Sequence, residues 1–125
     1  MIVGTGLDLV EVERIERTLA LYGRRFLERV FTRREIEYCE RHKNRGERYA
    51  ARFAAKEAGM KALGTGWRHG IRWLDLEVVN QANGRPTLEF SGVAAQRAAG
   101  LRVRAIALSL SHTPTHAVAQ VILEN

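Results

Sequence analysis

Residues 47–63 form the most constraining stretch of this 125-residue sequence, because their composition predicts one long and slender helix. Alanine occupies positions 51, 54, 55, 58 and 62, so neighbouring segments can pack close to the helix backbone. Gly59 in mid-helix costs about 1 kcal/mol relative to alanine, which suggests that another segment approaches the backbone there. The sequence Gly64-Thr65-Gly66 ends the helix and suits contact between backbone and a ligand.

Two polar constellations, about fifty residues apart, predict a site. The helix carries Glu57 and Lys61, and Asp8 follows a short apolar strand predicted for residues 2–7. A strand-end carboxylate and a helical carboxylate predict a Mg²⁺ site, because Mg²⁺ prefers one or two carboxylates with substrate phosphate and waters. Lysines nearby predict phosphate binding. Together these features indicate Mg²⁺-assisted chemistry on a phosphorylated substrate.

Each of these residues also has a simpler interpretation. Asp8 could be the N-cap of a helix that begins near Leu9 or Val10. Glu57 and Lys61 could be an ordinary i, i+4 surface pair, worth about a few tenths of a kcal/mol. The apolar residues on the same helical stripe and the glycines around it favour a site.

The remaining pattern predicts a single α+β domain over residues 1–125, in which an antiparallel β-sheet packs against helices. A helical stripe follows Asp8 and ends at Gly23, and Thr32 with Glu35 matches a capping box. Further strands are predicted at residues 74–79, 87–90, 101–110 and 117–123, with a turn at Asn83-Gly84 and a short helix at residues 93–99.

Composition limits the partners and the compartment. A net charge of +6 and a pI near 10.2 favour anionic partners. The single cysteine, Cys39, cannot form an intramolecular disulfide and fits a reducing cytoplasm. No signal peptide is apparent, and no apolar run approaches the roughly 20 residues that span a bilayer. We therefore expect a soluble cytoplasmic protein with no membrane partner.

Other motifs of known chemistry are incomplete. Gly4-Thr5-Gly6 resembles the start of a dinucleotide fingerprint, but Leu9 occupies the third glycine position. The sequence has no phosphate loop of the GxxxxGK[ST] type. Its single cysteine and its four histidines show no zinc spacing; the histidines are His42, His69, His112 and His116.

These residues together resemble the holo-[acyl-carrier-protein] synthases, the short bacterial class of 4′-phosphopantetheinyl transferases. The resemblance runs over nearly the whole chain, and its first and third blocks are highly specific in combination. The matching blocks are Gly4-x-Gly6-x-Asp8 with Arg14-Ile15, Phe31-Thr32, Arg52-Phe-Ala-Ala-Lys56-Glu57 with Lys61 and Gly64-Thr65-Gly66, Asn83-Gly84-x-Pro86, and Ser109-x-Ser111-His112-Thr113.

The resemblance implies an activity. Members of this family transfer phosphopantetheine from coenzyme A to a serine of an acyl carrier protein, release adenosine 3′,5′-bisphosphate, and support fatty acid biosynthesis. By this resemblance Asp8 and Glu57 would hold Mg²⁺, and Lys61 would neutralise charge that develops on the bridging phosphate. The base that takes the serine proton would be either a metal-bound water or Glu57.

The resemblance also implies a coenzyme site. Arg52 and His112 would hold coenzyme phosphates, although His112 taken alone could equally be a turn residue. The hairpin residues Asn83, Gly84 and Pro86 would lie along the adenine. The coenzyme-binding residues expected on this basis are Arg52, Lys61, Gly64, Asn83, Gly84, Pro86, His112 and Thr113.

By the same resemblance, the carrier-docking surface is expected at Arg14, Arg24 and Arg25, on or just after the first helix. Acyl carrier proteins are small and acidic, so they complement a basic chain. The alternative for Arg24 and Arg25 is an ordinary solvated face.

Two rival functions remain open from the sequence. A non-catalytic RNA- or DNA-binding module would explain the high pI, but no recognised nucleic-acid motif is present and the basic residues are spread over the chain. We therefore expect no nucleic-acid partner. An acyltransferase that uses coenzyme A without a metal is the second rival, and chelation would separate it from a Mg²⁺-dependent enzyme.

The last two predicted strands carry apolar residues on both faces, for example Leu108 against Ala107 and Ile122 against Val121. Either the early helices cover one face and the other is merely less polar, or other copies of the chain cover it. We predict the second arrangement, a closed homotrimer with intersubunit active sites, as the resemblance implies.

Overall fold

The computed structural model describes residues 1–66 and 70–125, and His69, one of the four histidines considered above, lies outside these residues. In chain order the elements are β1 (Ile2–Glu11), α1 (Val12–Tyr22), α2 (Arg24–Val30), α3 (Arg33–Glu40), α4 (Arg45–Leu63), a 3-10 turn (Trp73–Asp75), β2 (Leu76–Asn80), β3 (Pro86–Phe90), α5 (Gly92–Gly100), β4 (Ala105–His112) and β5 (His116–Glu124).

The strands form an antiparallel three-stranded sheet, in the order β1-β5-β4, and a separate β2-β3 hairpin. The long helix α4 packs against β1 and β5 on one face, which we name the inner face of the sheet. Alternate residues of β5 are buried there: Ala117, Ala119, Val121 and Leu123. Helices and an antiparallel sheet thus share one core, which confirms the predicted α+β fold.

Small residues allow β1 and α4 to touch through their backbones. A Cβ atom at Gly6 would lie 1.8 Å from the carbonyl oxygen of Ala58. A Cβ at Gly4 would lie 2.0 Å from the carbonyl oxygen of Ala62. Gly4 and Gly6, two residues apart on the strand, therefore face Ala62 and Ala58, four residues apart on the helix. The two spacings match because two residues of a strand and four residues of a helix cover similar lengths along their axes.

Several local predictions are confirmed. The close approach expected at Gly59 is made by the hairpin, since a Cβ there would lie 2.7 Å from Cδ2 of Leu76. The capping box forms: the Thr32 amide donates to Glu35 Oε1 at 2.8 Å, and the Glu35 amide donates to Thr32 Oγ1 at 3.3 Å. Gly64 ends α4 in the left-handed conformation, with φ of 80°.

The predicted boundary between the first strand and the first helix was wrong. β1 continues to Glu11 and α1 begins at Val12, so Asp8 lies within the strand and is not an N-cap. The reason is tertiary pairing: Leu9 lies opposite Val118 in the β1-β5 ladder, and Glu11 lies opposite His116. Interstrand hydrogen bonds therefore extend the strand beyond the point where local periodicity changes.

Two further boundaries differ from the predictions. A separate helix, α2, begins directly after Gly23 and was not predicted. Arg24 and Arg25 form its first turn. β4 begins at Ala105 and not at residue 101, because the chain reverses at Arg102, where φ is 59°. Among the described residues, no helix combines the length and apolar character needed to cross a membrane.

Candidate active site

Asp8 lies in the middle of β1 and is largely buried, with 9% of its surface exposed. It alternates with Gly6 and Val10, which are also buried on the inner face of the sheet. Because Gly6 has no side chain, α4 lies close beside the strand at this point. The Asp8 carboxylate therefore meets side chains from the last turns of α4.

Lys61 binds Asp8 directly. Its Nζ donates to Asp8 Oδ1 at 2.9 Å and to the carbonyl oxygen of Leu7 at 3.0 Å. About half of the Lys61 side chain, 51%, is exposed, whereas only 10% of the Asp8 side chain is. The lysine thus holds the buried carboxylate while about half of its own side chain remains exposed to solvent.

Glu57 completes an acidic pair with Asp8. Burial raises the pKa of Glu57, the neighbouring Asp8 carboxylate raises it further, and Lys61 and Arg14 oppose the rise. These four residues form what we name the Asp8–Glu57 cluster: two carboxylates flanked by two basic side chains. Such a cluster favours binding of a cation between the carboxylates and an anion beside them.

The donor set fits Mg²⁺. Two adjacent carboxylates repel each other, and a divalent cation would relieve this repulsion. Within residues 1–66 and 70–125, no group of three or more His, Cys, Asp or Glu side chains could hold a metal. Two carboxylates are sufficient for Mg²⁺, which takes its remaining ligands from substrate phosphate and waters. Asp8 and Glu57 would hold the ion.

A groove of about 420 Å³ lies beside the cluster, and we name it the α1–α2 groove. Its residues are Arg14, Ile15, Thr18, Phe26, Arg29, Val30, Phe53 and Trp73. Phe53 precedes Glu57 by one turn of α4 and stacks on Trp73, with ring centroids 4.9 Å apart. The groove therefore combines an aromatic floor with two arginines, which suits a partner that has apolar and acidic groups.

The hairpin residues predicted to contact the coenzyme lie elsewhere in this chain. The hairpin packs on Gly59, and two consecutive helix positions beyond Glu57 correspond to a rotation of about 200°. Glu57 and the hairpin thus lie on opposite sides of α4. In the loop between β2 and β3, Asn83 Oδ1 accepts a hydrogen bond from the Arg85 amide at 3.0 Å. Gly84 has φ of 85°, and Pro86 begins β3.

His112 and Thr113 lie at the end of β4. The Nδ1 atom of His112 lies 2.9 Å from Glu47 Oε1, at the first turn of α4. Thr113 Oγ1 accepts a hydrogen bond from the His116 amide at 3.1 Å. β4 and β1 are the two edge strands of the sheet, so these residues are separated from Asp8 by β5.

Arg52 lies on α4 but faces α3. Its guanidinium carbon is 3.8 Å from the centroid of the Tyr38 ring, and its Nε atom is buried with no hydrogen-bond partner among the described residues. Arg24 is bound by Glu28 at 3.0 Å, and neither Arg24 nor Arg25 lines the groove that contains Arg14. The structure therefore brings together Asp8, Glu57, Lys61 and Arg14, and leaves the other predicted site residues apart in a single chain.

Comparison with known proteins identifies the family. The model of the 4′-phosphopantetheinyl transferase superfamily matches residues 4–119. A holo-[acyl-carrier-protein] synthase of Solibacter usitatus is 61% identical over 125 residues, which is all of both chains. The chain belongs to the 4′-phosphopantetheinyl transferase superfamily.

Solved structures of phosphopantetheinyl transferases agree with this assignment. A holo-(acyl-carrier-protein) synthase of Bacillus anthracis, in complex with CoA (3′,5′-ADP), has a TM-score of 0.81 and 40% identity, and the match covers 98% of this chain and 96% of that one. The enzyme of Neisseria meningitidis has a TM-score of 0.90 and 30% identity, with all of both chains covered. These findings confirm the resemblance and the prediction of an enzyme.

Two features of this phosphopantetheinyl transferase were not predicted. Lys56 and Glu35 form a fully buried ion pair, 2.8 Å long, in the interior of the protein. Trp73 forms part of the α1–α2 groove although it is distant in sequence from the other groove residues. Lys56 was expected to bind phosphate together with Lys61, and this was wrong for Lys56: its position one residue before Glu57 turns it by about 100° around the helix, into the core and onto Glu35.

Proposed function

We propose that this enzyme transfers 4′-phosphopantetheine from coenzyme A to a serine of an apo-acyl carrier protein in a Mg²⁺-dependent reaction, with release of adenosine 3′,5′-bisphosphate. The observation that carries the proposal is the convergence of Asp8, Glu57 and Lys61 where β1 crosses α4. Such transfer would support fatty acid biosynthesis. A cytoplasmic location stays a prediction from the single cysteine.

The reaction exchanges a phosphoanhydride bond for a phosphoester bond. The serine oxygen forms a bond to the phosphorus that carries the pantetheine arm, and the bond from this phosphorus to the bridging pyrophosphate oxygen breaks, so that adenosine 3′,5′-bisphosphate leaves with that oxygen. The serine proton would pass to a base, either Glu57 or a water at the proposed metal site. Mg²⁺ bound at Asp8 and Glu57 would supply charge neutralisation for the pyrophosphate. The Lys61 side chain is half exposed and its Nζ lies 2.9 Å from Asp8, so it would contact the leaving phosphate beside the carboxylates and stabilise its developing charge.

The remaining coenzyme contacts would come from outside the cluster. Arg52 has a buried Nε atom without a hydrogen-bond partner among the described residues, and an anion would satisfy it. His112 would contact the coenzyme through its second ring nitrogen, because its Nδ1 atom lies 2.9 Å from Glu47 Oε1. The hairpin with Asn83 and Gly84 would lie along the adenine, and Gly64 with Thr113 would line the same path.

The carrier would dock at the α1–α2 groove. Arg14 belongs both to this groove and to the surroundings of Glu57, so an acidic partner held there lies next to the cluster. Arg29 adds a second positive charge to the same groove. Arg24 and Arg25 would extend the basic surface along α2, while their alternative as solvated residues fits the Arg24–Glu28 pair.

A homotrimer would bring the predicted site residues that are far apart in one chain close together between two chains. The outer face of the sheet carries exposed apolar residues, with Leu7 and Leu9 of β1 exposed by 61% and 68%. In the strand register, Leu7 lies beside Gln120 and Leu9 beside Val118 on this same face. Burial of the outer face against other copies would place the β1 edge of one chain near the β4 edge and hairpin of its neighbour.

The decisive experiment is incubation of the protein with apo-carrier, coenzyme A and Mg²⁺, followed by intact-protein mass spectrometry. A carrier mass gain of one phosphopantetheine supports the proposal. A carrier whose mass does not change refutes it, and transfer that persists in excess chelator refutes the metal dependence. Acylation of the carrier without phosphopantetheine would instead support the metal-free acyltransferase.

A further inference from the structure

Lys56 and Glu35 form an ion pair in the interior of the protein. Lys56 Nζ lies 2.8 Å from Glu35 Oε1, and neither side chain is exposed to solvent. Burial lowers the pKa of Lys56, while the Glu35 carboxylate opposes that fall. A buried pair of this kind is costly to desolvate, and replacement by apolar residues is often neutral or stabilising. Stability alone is therefore a weak explanation for it.

The pair connects four segments of the chain. Glu35 accepts hydrogen bonds from the amides of Thr32 and Val78, each at 2.8 Å. Lys56 donates to the carbonyl oxygen of Leu76 at 2.5 Å and to that of Trp73 at 3.2 Å. The lysine on α4 thus fixes both ends of the 3-10 turn Trp73–Asp75, while Glu35 links this region to the start of α3.

Trp73 connects the turn that Lys56 binds with the α1–α2 groove. Its ring stacks on Phe53 at 4.9 Å with an interplanar angle of 24°, and both rings line the groove with Arg14. Phe53 is held by α4, but Trp73 belongs to a short turn that follows residues 67–69. The position of the Trp73 ring therefore depends on what holds the backbone of this turn, and Lys56 binds its carbonyl oxygen.

We propose that Lys56 is a positioning residue for carrier recognition, which fixes Trp73 so that the tryptophan and Phe53 form the apolar wall of the carrier groove. This inference rests on the proposed function of the groove. It assigns to Lys56 a role separate from that of its neighbour Glu57, because Lys56 faces the interior and makes no contact with the Asp8–Glu57 cluster among the described hydrogen bonds and ion pairs.

A double-mutant cycle of Lys56→Met and Trp73→Leu tests the inference, in a Trp67→Phe background so that Trp73 is the only tryptophan. Four quantities are measured: the KM for apo-carrier, the KM for coenzyme A, the affinity for Mn²⁺ as a spectroscopic probe of the cluster, and the emission of Trp73. If Lys56 only stabilised the fold, its replacement would change all four quantities together.

We expect each single substitution to raise the KM for apo-carrier by on the order of tenfold, as loss of an aromatic anchor does. Lys56→Met should also shift the Trp73 emission to the red. In the Trp73→Leu background, Lys56→Met should change the KM for apo-carrier by no more than about twofold. The KM for coenzyme A and the Mn²⁺ affinity should stay within about twofold of the parent.

The inference is overturned if Trp73→Leu leaves the KM for apo-carrier unchanged. It is also overturned if the effects of the two substitutions are additive, or if the KM for coenzyme A rises as much as the KM for apo-carrier. If Lys56→Met does not fold, the same cycle is run with the neutral pair Lys56→Gln and Glu35→Gln, which retains polar groups in the interior. A parent protein that transfers nothing refutes the proposed function, whereas a parent that transfers normally with an additive cycle refutes only the positioning role.

Discussion

The backbone of Gly6 touches the carbonyl oxygen of Ala58 so closely that a Cβ on the glycine would lie 1.8 Å from that oxygen. This contact sets the spacing between β1 and α4. It also determines the distance between Asp8, two residues along the strand, and Glu57 and Lys61 on the facing helix. The glycine is therefore part of the site although it has no functional group.

Gly6→Ala should both destabilise the protein and impair the site. The methyl group would clash with a backbone atom, which cannot rotate away, so we expect a loss of about 1–3 kcal/mol in the free energy of unfolding. Urea titration measures this loss, and Mn²⁺ affinity should fall as the two carboxylates separate. Gly100→Ala is the matched control, because a Cβ there meets no atom within 4 Å. Equal stability of the two variants would contradict the proposed contact.

Glu57→Gln should stabilise the metal-free protein at neutral pH. The pKa of Glu57 is raised in the folded state above its ordinary value of 4.5, so ionised Glu57 is less favourable in the folded than in the unfolded chain. In EDTA we expect the variant to be more stable than wild type at pH 7.5, and the difference to shrink as the pH falls toward 4.5. Unfolding titrations at several pH values measure it.

The same substitution should impair catalysis. Turnover should fall by on the order of 10², because one carboxylate of the proposed metal site is lost. Mg²⁺ should stabilise wild type but not the variant. Glu37→Gln, at an exposed position on α3, is the control and should change neither quantity. A variant that is less stable than wild type at pH 7.5 in EDTA would argue against an acidic pair.

Lys61→Met should separate metal binding from catalysis. Lys61 bonds Asp8 at 2.9 Å, so its positive charge competes with a divalent cation for the carboxylate. Without it, Mn²⁺ should bind about tenfold more tightly to the free protein, while turnover falls because the leaving phosphate loses its positive partner. Electron paramagnetic resonance of Mn²⁺ measures the affinity. Lys43→Met, in an exposed loop, provides the control. Weaker Mn²⁺ binding in Lys61→Met would exclude competition.

Arg14→Glu should weaken carrier recognition. Its charge lines the α1–α2 groove, so reversal should raise the KM for apo-carrier by on the order of tenfold or more and leave the KM for coenzyme A nearly unchanged. The wild-type carrier KM should also rise with salt, because exposed charges are screened beyond about 8 Å at physiological ionic strength. Arg102→Glu reverses an exposed arginine outside the groove and serves as the control. Carrier binding that is independent of salt would remove the electrostatic basis of docking.

Patterns within single segments predicted much of the fold. The alanine spacing predicted α4, Gly59 predicted an approaching segment, and Thr32 with Glu35 predicted the start of α3. These features depend on residues close in sequence, whose backbone preferences are local. The pairing of Asp8 with the helix at Glu57 was also predicted, because carboxylates with these neighbours suit one chemistry and match a family pattern.

Features that depend on contacts between residues far apart in sequence were not predicted. Asp8 was expected at the end of a strand, but pairing with β5 carries the strand three residues further, to Glu11. Lys56 is adjacent to Glu57 in sequence, and nothing in a charged dipeptide indicates that one side chain enters the core while the other faces a site. The partner that makes burial of Lys56 tolerable, Glu35, lies on another helix.

The last prediction concerns assembly. The outer face of the sheet exposes Leu7 and Leu9, and in one chain the hairpin lies on the side of α4 opposite to Glu57. Both facts follow if three chains bury their outer faces together and each site combines two chains. Light scattering should therefore give about three times the chain mass of 14.1 kDa. Leu9→Glu should dissociate the assembly and remove activity, because a charge would enter the interface.

Mixing two inactive variants tests whether each site is shared. Asp8→Asn damages the metal half, and Gly84→Val damages the hairpin half, because Gly84 has φ of 85°, which valine rarely adopts. When the chains are unfolded, mixed equally and refolded, about a quarter of the sites should combine two intact halves and recover activity in proportion. A mixture of Asp8→Asn with Glu57→Gln should recover nothing, since both changes damage the same half. Recovery in neither mixture, or full activity of a monomer at nanomolar concentration, would mean that each chain carries its own complete site.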